Sequence, residues 1–356
     1  MVKKIAKYIG RALLVLVVTV AILFGVLYAV IYQCCNGPSL AAKNLFITTI
    51  LETGQLKFLA SWVCSEEEIQ AVVNQNTMAT MDTEIDPTLI QIPTDNKPKA
   101  NETFDENGIR IEEISGRSFY AKMMIIKDPS QVRTGTSSPW GEYGKDLKDL
   151  VLDNGGIAGV NGGIYVSFGN KGGKPLGVVV EDGQITWNDP SGLTGLYIIG
   201  LNTDNLLVIK DISNMSAADI EAYVRDEGIR DAVSFQEENT DANNHFVPLV
   251  INGEGRELNG QGSGANPRTA IGQRADGAIL LLVTDGRGAS GHLGATAADL
   301  IGVMLSYGAV NAANLDGGSS STMFYNGDYE MTSVTFYYQN SSWKMPTSFI
   351  VMPKSN

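Results

Sequence analysis

The segment Asn314-Leu315-Asp316-Gly317-Gly318-Ser319-Ser320-Ser321-Thr322 places one carboxylate directly ahead of two glycines and four hydroxyl side chains. It follows an apolar stretch and precedes Met323-Phe324-Tyr325. These small residues cannot fill a core, but they permit close approach of the backbone and supply N–H groups and short hydroxyl donors beside an acid. That combination suits an anionic group such as a phosphate. A tight, glycine-rich connection between two strands is the alternative interpretation.

A second apolar stretch, Ile279–Thr284, also ends in an aspartate and a glycine, at Asp285-Gly286. One predicted helix, capped by Thr296, separates the two strands. If the strands that end at Asp285 and Asp316 are neighbours, both carboxylates emerge at the same edge of the sheet, where sites are commonly built. Asp-Gly is also a common turn dipeptide, so a plain turn remains the alternative for Asp285.

Three further polar residues lie close to predicted strand ends. Arg268 precedes a strand and is either a solvated edge charge or a bidentate clamp for phosphate. Asn161 follows a strand and precedes two glycines, so it is either part of a turn or an amide donor held in the site. His292 is one of only two histidines, which argues against a histidine-rich zinc site. It is either an acid/base group or an ordinary surface histidine.

The rest of the chain favours an α+β fold. A chain of 356 residues with 44% hydrophobic residues can build a core, and its 39 glycines indicate many tight turns. Apolar segments of strand length are separated by turn dipeptides such as Asp182-Gly183, and capping patterns at Ser216 and Thr296 begin two helices. We therefore predict a mixed, mostly antiparallel β-sheet core with flanking helices, preceded by one N-terminal transmembrane helix and a helical stalk.

The charge pattern indicates a membrane anchor and argues against nucleic acid as a partner, because the net charge is −13. Lys3, Lys4, Lys7 and Arg11 precede 20 uncharged residues, 12–31. A helix of that length spans about 30 Å, enough to cross a bilayer. The positive-inside rule puts the N-terminus in the cytoplasm and the rest outside the cell, as a single-pass protein of the cell membrane. A cleaved signal peptide is the alternative.

We predict three parts. Residues 1–36 form a basic tip and transmembrane anchor, residues 37–108 a helical stalk and linker, and residues 109–356 the main domain. The three cysteines, Cys34, Cys35 and Cys64, lie near the anchor. One disulfide from Cys64 to either of the others, or free or lipid-modified thiols, fit this position; metal binding through them is not expected.

Several motifs of the main domain occur together, in order, at a familiar spacing. They are Val160-Asn161-Gly162-Gly163, Gly177-Val178-Val179, Arg268-Thr269-Ala270-Ile271-Gly272, Asp276-Gly277, Asp285-Gly286-Arg287, Gly294-Ala295-Thr296, Gly308-Ala309 and the segment from Asn314 to Thr322. On these motifs the chain resembles the phosphodiester glycosidase family over residues 109–353. It departs from the family's pattern after Asn-Gly-Gly, where a phenylalanine-rich stretch is replaced by Ile164-Tyr165-Val166-Ser167-Phe168.

The resemblance implies hydrolysis of a sugar–phosphate diester at the anomeric C–O bond, which releases a free sugar and a phosphomonoester. The expected catalytic residues are Asp316, Asp285 and His292. The expected substrate-binding residues are Asn161, Arg268, Thr269, Arg287, Gly317, Gly318, Ser319, Ser321 and Thr322. No cofactor or metal is required. If a metal organised the two aspartates, Ca²⁺ or Mg²⁺ would suit them better than zinc.

The expected substrate is a glycan or sugar-phosphate of the cell surface or of an exopolysaccharide. The main alternative is a non-catalytic module, tethered to the membrane, that binds glycan or phosphate during exopolysaccharide or wall assembly. A phosphoester hydrolase that cuts the P–O bond is a further alternative. The sugar, its anomer, the acceptor polymer and the oligomeric state do not follow from the sequence.

Overall fold

A computed structural model describes residues 2–53, 56–93, 102–239, 244–333 and 341–354. The chain divides into two compact units, Met1–Gln75 and Asn76–Asn356. The smaller unit contains the helices α1 (Val2–Asn36), α2 (Leu40–Leu51) and α3 (Glu66–Asn74), with a 3₁₀-helix at Lys57–Trp62. Helix α1 is long and apolar enough over Lys4–Asn36 to cross a membrane.

The start of α3 shows how its sequence specifies a helix. The Ser65 hydroxyl accepts a hydrogen bond from the N–H of Glu68, and the Glu68 carboxylate accepts one from the N–H of Ser65. This reciprocal capping box satisfies two N–H groups that have no partner within the helix. The helix α3 therefore begins directly after Ser65. The three cysteines are free thiols, and Cys35 and Cys64 are buried in one apolar cluster with Ile47.

Among its described residues, the larger unit contains strands and three α-helices: α4 (Leu147–Asp153), α5 (Ala217–Asp226) and α6 (Ala297–Ser306). Its strands are β1 (Ile109–Ser115), β2 (Tyr120–Ile126), β3 (Val132–Thr136), β4 (Ala158–Asn161), β5 (Gly177–Glu181), β6 (Gln184–Asp189), β7 (Leu196–Asn202), β8 (Leu207–Asp211), β9 (Ile229–Gln236), β10 (Glu238–Asn239), β11 (Asn244–His245), β12 (Pro248–Ile251), β13 (Glu254–Gly255), β14 (Thr269–Arg274), β15 (Ile279–Thr284), β16 (Ala309–Asn314), β17 (Thr322–Tyr325), β18 (Asp328–Thr332) and β19 (Thr347–Val351).

Three sheets make up most of this unit. The first has seven strands in the order β1-β2-β15-β14-β16-β12-β13. The other two have five strands each, β18-β17-β4-β19-β3 and β6-β5-β9-β7-β8, and β10 pairs with β11 alone. The strand pairs are antiparallel, as between β14 and its neighbours β15 and β16. The predicted α+β fold with a mostly antiparallel sheet core is thus confirmed.

The core lies where the three sheets face one another. A single apolar cluster includes Val160 of the second sheet, Ile199 of the third, and Ile271 and Leu281 of the first. The opposite face of the seven-stranded sheet packs on α6, so its central strands are buried on both faces. This explains why β15 is an unbroken apolar run rather than an alternating pattern.

The strand order brings the two candidate aspartates to one edge of the seven-stranded sheet. Strands β15 and β16 both pair with β14 in antiparallel fashion, so they run in the same direction and end where β14 begins. They flank β14 and are not direct neighbours, which separates them by about 10 Å at the usual strand spacing. Asp285 and Asp316 therefore emerge at the same edge, on either side of Arg268 and Thr269.

The segment predicted as a linker has ordered contacts in its first part. The N–H of Ala79 donates to the carbonyl of Glu257, and that of Gln91 donates to the carbonyl of Ala275. Residues 76–92 thus belong to the larger unit, whereas residues 94–101 are outside the described part. Strand β1 begins at Ile109, where the main domain was predicted to start. The division into three parts itself stays a prediction.

Candidate functional site

Asp316 lies at the end of β16 with part of its surface open to solvent. Desolvation by the surrounding protein raises the pKa of its carboxyl to about 6. Hydrogen bonds from the Ser320 hydroxyl and the Gly317 N–H, and the charge of Arg287, act in the opposite direction. An aspartate with a pKa near neutrality can exchange protons under ordinary conditions, as a catalytic acid or base requires.

Ser320, whose hydroxyl lowers the pKa of the Asp316 carboxyl, is buried beside a tyrosine. The Ser320 oxygen lies 2.9 Å from the hydroxyl of Tyr165, and both residues are buried. Ser320 was not predicted as a site residue, although it belongs to the segment that suggested the site, and Tyr165 was noted only as a departure from the family pattern. A buried tyrosine needs a hydrogen-bond partner for its hydroxyl, but sequence alone does not say which partner it finds.

Asn161 fixes the backbone around Asp316. Its Nδ2 donates to the carbonyl of Asp316 at 2.6 Å. Its Oδ1 accepts hydrogen bonds from the Thr269 hydroxyl at 2.7 Å and from the Thr322 N–H at 3.2 Å. The residue is 1% exposed. The amide therefore joins three segments of the site to one another, instead of presenting its donors to solvent.

The two glycines after Asp316 use their N–H groups within the protein. The Gly317 N–H lowers the pKa of the Asp316 carboxyl, and the Gly318 N–H donates to the carbonyl of Pro267 at 2.8 Å. Gly318 has φ +63°, a left-handed conformation that favours glycine, and a Cβ there would lie 2.6 Å from Nη2 of Arg287. Gly318 therefore lets Arg287 lie directly over the backbone.

The hydroxyl side chains of the segment have different surroundings. Ser319 is half-buried, and its oxygen accepts a hydrogen bond from Nη1 of Arg287 at 2.8 Å. Thr322 donates to the carbonyl of Met331 at 3.0 Å. Ser321 is fully buried, and its hydroxyl has no hydrogen-bond partner among the described residues. Of the three predicted hydroxyl ligands, Ser319 is therefore the one that the structure places at the surface of the site.

Arg268 is buried in the protein, whereas Arg287 is exposed to solvent. Arg268 is 6% exposed; its Nη2 donates to the carbonyl of Gly264 at 2.9 Å and to the Ser263 hydroxyl at 3.2 Å. Its guanidinium also lies 5.0 Å from the centre of the Phe246 ring. Arg287 is exposed and extends from the loop after β15 toward Ser319. Arg287 is thus the solvent-facing cation of the site, and Arg268 braces the loop before β14.

We expect Arg268→Lys to lower the free energy of unfolding by about 2 to 4 kcal/mol, because a lysine cannot reproduce the forked contacts and hydrogen bonds to a charged group contribute about 1.5 to 3 kcal/mol each. Urea denaturation measures this change. Arg225→Lys, at an exposed position of α5, is the matched control and should leave stability unchanged. Normal stability combined with weakened phosphate binding would show that Arg268 is a ligand clamp after all.

Asp285 and His292 form a hydrogen-bonded pair at the same edge of the sheet. Asp285 is buried; its Oδ1 accepts from the N–H of Tyr120 at 2.7 Å, and its Oδ2 lies 2.7 Å from Nδ1 of His292. His292 is partly exposed. A carboxylate on Nδ1 fixes the orientation of the imidazole and leaves Nε2 as the nitrogen available for proton transfer. The structure thereby brings together two of the three residues predicted as catalytic.

Two further observations concern a possible metal site and a cavity. Within the described ranges, no three histidine, cysteine, aspartate or glutamate side chains gather closely enough to hold a metal ion. The expectation that no cofactor is required stays a prediction from the sequence. A cavity of about 830 Å³ lies between residues 81–87 and the strands β7 and β8, and none of the predicted site residues lines it.

Comparison with known proteins agrees with this fold. The family model for phosphodiester glycosidases matches residues 154–352, which is more than half of the chain. The chain therefore belongs to the phosphodiester glycosidase family, whose members act on phosphodiester-linked sugars. The matched range contains Asn161, Arg268, Asp285 and Asp316.

Individual relatives are more distant. The fold is similar to that of the catalytic domain of zebrafish N-acetylglucosamine-1-phosphodiester alpha-N-acetylglucosaminidase, with a TM-score of 0.53 and 19% identity over 72% of this chain and 86% of that one. An exported protein of Burkholderia pseudomallei gives a TM-score of 0.45, with 16% identity over 66% of this chain and 74% of that one. The SPbeta prophage-derived protein YomE of Bacillus subtilis is 45% identical over 64 residues, which are 18% of this chain and 10% of YomE.

Proposed function

We propose that this protein is an extracytoplasmic hydrolase that cleaves the glycosidic C–O bond of sugar-1-phosphodiesters on cell-surface or exopolysaccharide glycans. Water supplies a hydroxyl to the anomeric carbon, and the products are a free sugar and a phosphomonoester. The observation that supports this proposal most is the position of Asp316, whose pKa is raised to about 6 beside the exposed guanidinium of Arg287. The carboxylate of Asp316 suits the positive charge that develops on the sugar, and the guanidinium of Arg287 suits the leaving phosphate.

The roles of the remaining residues follow from their contacts. Arg287 and Ser319 would bind the phosphate oxygens, because a preorganised cation and hydroxyl stabilise the charge that develops on the leaving group. Asp316 would stabilise the oxocarbenium-like sugar or activate the attacking water. Asn161 and Arg268, whose polar groups contact protein atoms, would position these groups. His292, oriented by Asp285, would transfer a proton.

The proposed location rests on α1. Its apolar span, Lys4–Asn36, is long enough to cross a membrane, and basic residues precede its uncharged part. The positive-inside rule then places the N-terminus in the cytoplasm and the larger unit outside the cell. Glycans of the cell surface would be accessible to an enzyme with this orientation.

The test is turnover of a panel of nucleotide sugars and sugar-1-phosphate alkyl diesters by the full-length protein in detergent, carried out in ¹⁸O-labelled water. Label in the released sugar, with a phosphomonoester as the second product, is the expected result. Label in the phosphate would identify a phosphoester hydrolase instead. Saturable binding of the diesters without any turnover would identify a non-catalytic glycan-binding module.

We expect His292→Gln to lower kcat by about a hundredfold, at the low end of the contribution of a general acid or base, because phosphate is already a good leaving group. The measurement is steady-state kinetics on the best diester of the panel. His245→Gln, which replaces the other histidine of the chain, is the control and should retain full activity. Unchanged kcat in His292→Gln would exclude the imidazole from proton transfer.

A further inference from the structure

The 3₁₀-helix of the smaller unit, Lys57–Trp62, presents large apolar side chains to the outside. Phe58 is 50% exposed, and Leu56 and Trp62 are exposed as well. The rings of Phe58 and Trp62 contact each other edge to face, with their centres 5.4 Å apart. We call these three residues the aromatic patch. Large apolar side chains that lie together at a surface mark a place where a protein meets another molecule or a membrane.

The exposure of the patch is not a sign of a loosely packed segment. Leu59 and Ala60, which follow Phe58 directly, are buried, and Leu59 belongs to the apolar cluster at the centre of the smaller unit. The 3₁₀-helix is therefore two-sided. One side fills the core of the unit, and the other side, with Phe58 and Trp62, is left outside it.

The packing of α1 sets the level of this segment relative to a bilayer. Ile31 and Cys35 of α1 are each 2% exposed, because they pack in one apolar cluster with Ile47 of α2 and with Leu59. Ile31 is the last residue of the uncharged stretch 12–31, whose length matches the hydrocarbon of a bilayer. The side chains of this cluster therefore lie at the outer edge of the hydrocarbon, where the headgroup region begins.

Two tyrosines of α1 support the same level. The rings of Tyr28 and Tyr32 are stacked with their centres 6.2 Å apart, and both side chains are exposed. Tyrosine and tryptophan are enriched where a membrane meets water, because each combines an apolar ring with a polar group. A helix with two such rings beside Ile31 has the pattern of an interfacial segment at that point.

The charges of the segment are compatible with contact to lipid. Among residues 37–65, only Lys43, Glu52 and Lys57 are charged. The ammonium of Lys43 lies 2.7 Å from the carboxylate of Glu68, so that charge is paired within the unit. Moving the segment into the headgroup region would therefore take few charges out of water, and the cost of desolvation would be small.

We propose that the aromatic patch inserts into the outer headgroup region of the bilayer, so that the smaller unit lies on the membrane surface instead of projecting from it. The ligand is the lipid surface itself, because the 3₁₀-helix shares an apolar cluster with the end of the membrane-spanning helix. Burial of apolar side chains in the headgroup region stabilises this arrangement without a basic patch. The inference rests on the proposed location of α1, and it is independent of catalysis.

The experiment places the full-length protein in phosphatidylcholine vesicles whose acyl chains are brominated close to the headgroup, since bromine quenches tryptophan fluorescence on contact. The sequence of α1 contains no tryptophan, so insertion of α1 alone causes no quenching. Because Trp62 is one of four tryptophans, the wild-type protein should lose about a quarter of its emission. Trp62→Phe should lose almost none. Trp140→Phe, the same substitution in the larger unit, is the matched control and should still be quenched.

Phe58→Ser is a second variant that keeps the fluorophore. Its weaker insertion should reduce the quenching and move the emission of Trp62 to longer wavelength. Flotation with the vesicles is measured for every sample.

The inference alone is overturned if the wild-type protein floats with the vesicles but is not quenched, or if Trp62→Phe is quenched as much as the wild type. Unquenched Trp62 in a protein that crosslinks to a second copy through the smaller unit would identify that copy as the occupant of the patch instead. Failure of the wild-type protein to float would contradict the proposed location together with the inference. Turnover of the diesters by the vesicle-bound protein tests the proposed catalysis separately.

Discussion

Asp316→Asn is expected to abolish turnover of sugar-1-phosphodiesters and, at neutral pH, to stabilise the protein. The loss of activity should be at least about a thousandfold, as for removal of a group that acts directly on the reacting atoms. Asparagine keeps the size of the side chain and can still accept the hydrogen bonds of Gly317 and Ser320. The expected gain in stability has a separate cause, the burial of the carboxylate.

The sign of the stability change follows from the raised pKa. The carboxyl of Asp316 has a pKa of about 6 in the folded protein, against an ordinary value of 3.8. Between these values the folded state binds more protons than the unfolded state, so the free energy of unfolding falls as the pH rises through this range. Above pH 6 the loss amounts to up to about 3 kcal/mol, at about 1.4 kcal/mol for each pH unit. Asparagine does not ionise and avoids this loss.

Urea denaturation of both proteins at pH 4 and pH 7.5 measures the effect, together with kinetics on the diester panel. The difference in the free energy of unfolding should be small at pH 4 and should approach about 3 kcal/mol at pH 7.5. Asp226→Asn, at an exposed position, is the control for both measurements. An active Asp316→Asn variant would remove this residue from the mechanism, and a stability difference independent of pH would contradict the raised pKa.

Sequence could predict that Asp285 and Asp316 lie at one edge of the sheet, because the ends of buried strands have a recognisable sequence pattern. The apolar runs before Asp285 and Asp316, followed in each case by glycine, are the marks of buried strands that end at a turn. The order of the strands is not marked in this way. The insertion of β14 between β15 and β16 depends on pairing between distant segments, and a repeated local pattern does not reveal it.

Sequence could not distinguish the two arginines of the site. Arg268 and Arg287 both lie in the ordered motifs, and both were predicted to bind substrate. What separates them is the loop around Ser263 and Gly264, which encloses the first guanidinium, and the left-handed turn at Arg287, which directs the second into solvent. Such contacts form only when the chain is folded. The contact between Tyr165 and Ser320 was missed for the same reason.

Arg287→Gln is expected to lower kcat/KM for sugar-1-phosphodiesters by about a hundred- to a thousandfold, the effect of removing one preorganised donor to a developing negative charge. Arg287→Lys should retain part of the activity, because lysine keeps the charge but not the planar fork that can bind two phosphate oxygens. The variants should fold normally, since Arg287 is exposed and surface substitutions usually change stability by about 0.5 kcal/mol or less.

The decisive comparison is between two substrates. An uncharged aryl glycoside of the same sugar has no phosphate to bind, so its turnover should fall far less in Arg287→Gln than that of the diester. Arg225→Gln is the control for loss of one positive charge elsewhere on the surface. Because the charge of Arg287 lowers the pKa of Asp316, the variant should also move the acid limb of the pH–rate profile to higher pH. Equal losses on both substrates would mean that Arg287 positions Asp316 rather than binding the phosphate.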